Sequence, residues 1–169
     1  YDADRLAQAN RAAVALLEDV RAANADVSPV VFSGCIGPQG DGYGPDTMLG
    51  AEDAEAYHAA QIGTFTDAGG DRVTAITMTY AEEADGIVRA ARTAGVPVAI
   101  SFTVETDGRL PSGQSLEDAI AQVDLEVEGT VGGVTLDHAL TPSGEGAGQD
   151  FASAVFWPMR KMTNSAGLS

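Results

Sequence analysis

The chain is 169 residues long and 44% of its side chains are apolar, enough to bury one core and to exclude a disordered tail. Acidic residues outnumber basic ones by 25 to 9, for a net charge of -16, so nucleic acids and other phosphate polymers are excluded as partners by repulsion. No apolar run approaches the roughly 20 residues of a membrane-spanning helix, and the N-terminus lacks the basic-then-apolar order of a signal peptide. A cytoplasmic protein with a small-molecule partner and no membrane partner is therefore expected. The single cysteine cannot form an internal disulfide, and His58 and His138 lie far apart, so no self-contained Cys/His metal site is legible.

Taken in chain order, Tyr1 to Asn24 places Leu6, Ala9, Ala13, Leu17 and Val20 near the 3.6-residue period, with Asp2 and Asp4 suited to a helix start. This predicts an amphipathic helix. Pro29 to Ile36 is β-branched and aromatic and stops at glycine, as a strand buried on both faces would. A glycine-rich loop follows, then a helical pattern from Ala51 to Ala68 that ends at Gly69-Gly70. Asp71 to Thr79 reads as a second strand, Glu82 to Ala94 as a helix closed by Gly95, and Pro97 to Val104 as the clearest strand of the chain. Ser115 with Asp118 forms a capping-box pattern for a helix running to about Glu128, and Val131 to Leu136 is a weaker fourth strand. Beyond Pro142 no element is assigned.

Alternating strands and helices at this spacing define βαβ units and a parallel sheet. Four units are about half of the eight that close a (β/α)8 barrel. The alternatives are a doubly wound sheet or part of a larger barrel, within a single domain spanning residues 1–169 whose segment 142–169 is unassigned. Half a barrel would leave open edges, which call for further strands or a homo-oligomer.

Four ordered segments carry a resemblance: SGCIGPQGDGY from Ser33, EAYHAAQI from Glu55, DRVTAITMTYAEEADGIVRAA from Asp71, and ISFTVETDGRLPSGQSLEDAI from Ile100. In this order they resemble the homocysteine S-methyltransferase family. The resemblance implies a TIM (β/α)8 barrel, incomplete here. It further implies homocysteine bound at the C-terminal face of the strands, and methyl transfer to its sulfur as a step of methionine biosynthesis. It also implies a zinc ion that holds the substrate as a thiolate, the nucleophilic form.

The chain departs from that pattern at the zinc ligands. Aligning His138 with a family histidine puts Leu136 where a ligand cysteine belongs, and the family's adjacent cysteine pair has no counterpart. The family's Glu-Thr pair, whose glutamate is expected to hold the substrate ammonium, reads Ile76-Thr77. A non-catalytic or truncated paralogue that binds a small molecule or a partner subunit is the alternative this raises.

Candidate substrate-binding residues follow from position and resemblance. Gly34 and Gly37-Pro38 border the loop after the first strand, where glycine lets backbone approach a small ligand. A phosphate loop is excluded, because no GxGxxG opens into a helix and Asp41 and Asp46 would repel the anion. Thr77 and Ser101 sit on strands, where a hydroxyl faces either a pocket or a backbone group. Glu105 and Asp107 are either an acid, base or ammonium anchor, or a solvated Asp-Gly turn. His138 is placed just past the last strand. Cys35 is expected to be a buried, inert thiol and His58 a hydrogen-bonded helix histidine.

The lysine-poor, acidic surface predicts a fold stabilised by salt, which screens its self-repulsion. Thermal melts should shift upward between low and molar KCl. Equal melting temperatures would remove the high-salt reading.

Overall fold

The computed structural model describes residues 2–42, 44, 47–127, 132–137 and 151–158. Helix α1, Ala3–Ala23, begins where expected, with the Asp2 carboxylate accepting the Arg5 N–H at 2.8 Å. Strand β1 is Ser33–Ile36, helix α2 Ala51–Asp67, strand β2 Arg72–Met78, helix α3 Ala81–Ala94 and strand β3 Val98–Thr103. Helix α4, Leu116–Val127, starts from Ser115, whose hydroxyl accepts the Asp118 N–H at 3.1 Å and donates to the Asp118 carboxylate at 2.6 Å. The predicted capping box is thus formed.

Strands β1, β2 and β3 are parallel neighbours in chain order, with Ser33 opposite Arg72 and Val73 opposite Val98. Three strands in this order occur in both doubly wound sheets and barrels; barrels carry their helices on one face of the sheet. Helix α1 packs on α2, α2 on α3 and α3 on α4. Between helices and sheet lies the core of Ile36, Ile62, Val73, Ile87, Ile100 and Phe102, all essentially without solvent contact.

Three expectations are corrected. The first strand is shorter than Pro29 to Ile36 and alternates exposed and buried residues, because β1 is an edge strand with helices against only one face. The α1 stripe is rolled outward: Leu6, Leu17 and Val20 are exposed and Val14 is the buried residue. Arg21 sets that roll, pairing with Asp71 and lying 3.5 Å over the Phe32 ring, and Val14 precedes it by two turns on the same side. Finally, Phe151–Pro158 forms a strand, β5, where no element was assigned. It lies antiparallel between β3 and β4, Gly132–Asp137, so the fourth strand runs parallel to β3 but is displaced by one position. The glycine-rich run before Phe151 masks a segment of aromatic and β-branched residues that favours strand pairing.

Two glycines permit close approach. A Cβ on Gly34 would stand 2.4 Å from the Phe65 ring, and one on Gly86 would stand 2.6 Å from the Glu55 backbone nitrogen and 2.7 Å from the Ala51 carbonyl oxygen. In an open helix, Gly→Ala gains up to about 1 kcal/mol. At Gly86 the obstruction is the backbone of α2, which cannot move aside as a side chain can. Gly86→Ala should therefore destabilise by about 1–3 kcal/mol in denaturant titrations, and a neutral or stabilising result would contradict this α2–α3 approach.

Candidate functional site at the strand C-termini

The parallel register aligns the C-terminal ends of β1, β2 and β3, with Ile36 opposite Ala75 and Met78 opposite Phe102. The rim so formed carries three loops, those following β1, β2 and β3. Gly37-Pro38 opens the first of them. This loop folds back over β2, because a Cβ on Gly42 would lie 3.7 Å from Pro38 Cγ and 3.8 Å from Thr77 Oγ1. Gly42 is thereby placed beside both Pro38 and Thr77, residues separate in sequence.

Thr77 occupies the left-handed region at φ 57°, alone among non-glycine residues of the described chain. A β-branched residue there is a genuine outlier. Its cause is a bulge: the β2–β3 register shifts between Ala75 and Met78, so Ile76 and Thr77 leave the ladder. The Thr77 hydroxyl donates to the Ile76 carbonyl at 2.7 Å, and Ile76 is 40% exposed. A large apolar residue therefore stands at the rim where the family resemblance implies a carboxylate.

The remaining candidates separate. Ser101, on β3, is half-buried and already partnered. Glu105 belongs to a tight turn: its carbonyl accepts the Gly108 N–H at 2.9 Å, its N–H donates to the Arg109 carbonyl at 2.7 Å, and the Asp107 carboxylate accepts the Arg109 N–H at 3.0 Å. The turn alternative for these two residues is the geometry observed, with the Glu105 carboxyl left half-exposed. Gly34 lies beneath Phe65, and the packing constraint accounts for its lack of a side chain. Cys35 is exposed on β1, not buried, since the edge strand turns it away from the helices. His138 lies outside the described residues.

The first turn of α3 holds a cluster that sequence reasoning did not single out. Glu83 and His58 are both buried, and Glu83 Oε1 lies 2.8 Å from His58 Nε2. The same oxygen accepts the Gln39 N–H at 2.6 Å. Tyr80, at the N-cap of α3, accepts the Leu49 N–H on its phenolic oxygen at 3.0 Å. On the other flank, the Thr79 carbonyl accepts the Ser112 N–H from the β3–α4 loop at 3.3 Å, and Gln122 donates to Asp85 at 2.8 Å. The helical spacing of His58 and the position of Glu83 in an acidic first turn were both visible. Their meeting across α2 and α3 is a tertiary fact.

Among the described residues, no three His, Cys, Asp or Glu side chains gather as a metal site requires. The described residues therefore do not by themselves fit a zinc ion. No helix among them is long and apolar enough to cross a membrane.

Parallel strands β1 to β3 in chain order, with loops gathered at their C-termini, are consistent with the layout of part of a (β/α) barrel. The pattern of the homocysteine S-methyltransferase family matches residues 1–137, and the chain belongs to that family. Solved structures of the homocysteine methyltransferase MmuM from Escherichia coli share the fold at 21% identity. The metallated form gives a TM-score of 0.65 over 75% of this chain and 48% of that one. The apo form gives 0.63 over the same shares, and the oxidized form 0.64 over 73% and 46%. The chain thus spans about half the length of these enzymes. No curated protein matches it.

Burial raises the Tyr80 phenol above its ordinary value of 10.0; the Leu49 N–H opposes the shift, and the Glu83 charge adds to it. The folded state therefore holds this proton more tightly than the unfolded chain. The resulting stability is fully present below about pH 10 and is lost as pH rises through the higher folded value. Denaturant titrations from pH 8 to 11.5 should show this alkaline loss in the wild type and a smaller one in Tyr80→Phe. Identical profiles would contradict it.

Proposed function

We propose that the chain forms the homocysteine-binding side of a methyltransferase, with the substrate thiol presented at the C-terminal rim of β1, β2 and β3. The family match over residues 1–137 carries this reading. In the reaction, homocysteine releases its thiol proton to solvent and its thiolate sulfur attacks the methyl carbon of a sulfonium or quaternary ammonium donor. A sulfur–carbon bond forms, the donor leaves with the electron pair of its broken bond, and methionine is released. Gly37-Pro38 would approach the substrate through backbone, Thr77 would offer a hydroxyl, and Glu105 would meet the ammonium group in place of the carboxylate that Ile76 replaces. A cytoplasmic place in methionine biosynthesis goes with this chemistry.

A second reading has its own support. Leu136 and Ile76 stand where the family resemblance implies a ligand cysteine and an anchoring glutamate, and the described residues offer no metal cluster. Under it the rim binds a small molecule or a partner subunit without catalysis.

One experiment separates the two. Purified protein would be assayed for zinc content and for methylation of homocysteine by S-methylmethionine, betaine or S-adenosylmethionine, with homocysteine binding followed by calorimetry. Methionine formation supports the first reading. Homocysteine binding without turnover supports the second, and absence of both overturns the rim as a homocysteine site.

A further inference from the structure

The 37–50 loop carries glycine at positions 37, 40, 42, 44 and 50, a composition that leaves a backbone free to wander. It is nevertheless tied near both ends to the start of α3, through the Gln39 N–H on Glu83 and the Leu49 N–H on Tyr80. Glu83 is completely buried, a costly position for a carboxylate unless its oxygens are used. Oε1 is shared by the Gln39 amide and His58, the Tyr80 phenol that holds Leu49 also interacts with the carboxyl, and Oε2 has no hydrogen-bond partner of normal geometry. A carboxylate retained there for general stability would be expected to satisfy both oxygens. This one is aimed at a single loop amide and held in that aim by the ring of a second helix.

We propose that Glu83, oriented by His58, is a positioning residue that fixes residues 39–42 of the β1–α2 loop over Thr77 and so sets the shape of the rim toward its ligand. This rests on the reading of that rim as the homocysteine side of the protein. The geometry also dictates how substitutions behave. In Glu83→Gln the amide oxygen can take the place of Oε1 and keep both accepted bonds, while its NH2 replaces the oxygen that has no partner. In Glu83→Met the volume is roughly kept and the acceptor is lost.

Amide hydrogen exchange followed by NMR tests the tie without any substrate. In the wild type, Gln39 and Leu49 should be protected relative to Gly40, Gly42 and Gly44 in the same loop. Glu83→Met should speed Gln39 exchange about tenfold or more, with Val73 and Ile100 in the sheet little changed, and Glu83→Gln should stay within about threefold of wild type. Gln39 exchanging as fast as its glycine neighbours in the wild type would overturn the proposal. So would equal acceleration across the sheet, or a glutamine variant that behaves like the methionine one. Should the methionine variant not fold, the wild-type and glutamine profiles decide.

Where the wild type methylates homocysteine, Glu83→Met should raise KM about tenfold with a smaller change in kcat, and Glu83→Gln should restore KM; an unchanged KM overturns the proposal. A wild type with no activity or binding overturns the reading of the rim instead, and the exchange profiles still test the tie.

Discussion

The rim depends on the burial of one carboxylate. Glu83 sits where α2, α3 and the β1–α2 loop converge, and a carboxyl buried there is costly unless polar groups from the other two elements reach it. His58 arrives from the middle of α2, which in turn must lie close enough to α3 for a ring nitrogen to contact the carboxylate. Gly86 makes that distance possible, one turn further along α3, by leaving no Cβ between the helices. A close helix crossing, a buried ion-pair geometry and a loop tether are therefore one structural unit, and loosening any of them frees the others.

The rim also stores local strain at a defined place. A bulge that pushes Ile76 and Thr77 out of the β2–β3 ladder costs hydrogen bonds, and the left-handed Thr77 costs about 1–3 kcal/mol more. Such a conformation persists only where its surroundings over-determine it. Here the constraints come from both sides: Met78 regains register opposite Phe102 and is buried, and the loop bearing Pro38 and Gly42 lies over the Thr77 hydroxyl. The strained residue is thus caught between the sheet and the tethered loop.

Much of this architecture was legible because its signals are local. Ser115 and Asp118 write a helix cap within four residues, and the β-branched run before Val104 writes a strand within eight. The segments carrying the family resemblance span these same elements, so fold and family were available together. What could not be read was set by partners distant in sequence. The roll of α1 follows from Arg21 meeting Asp71 and Phe32, not from its own apolar period, and the exposure of Cys35 follows from only one face of β1 being covered. β5 was obscured by the glycine-rich segment before it, and its antiparallel insertion beside β3 is a pairing that no local pattern specifies.

The site shows the same division with more consequence. Gly37-Pro38 and Thr77 stand out in the sequence as chemistry-bearing positions, and the fold sets Gly42 of the same loop beside both Pro38 and Thr77. Glu83 is one of two glutamates in the first turn of α3, where such residues ordinarily favour the helix dipole. Its neighbour Glu82 is exposed and fits that role, whereas Glu83 is wholly buried beside His58. Two adjacent, identical side chains thus serve different ends because consecutive residues on a helix point about 100° apart, one toward water and one into the α2–α3 seam. The residue that organises the rim is distinguished by direction alone, which becomes visible only when the second helix is in place.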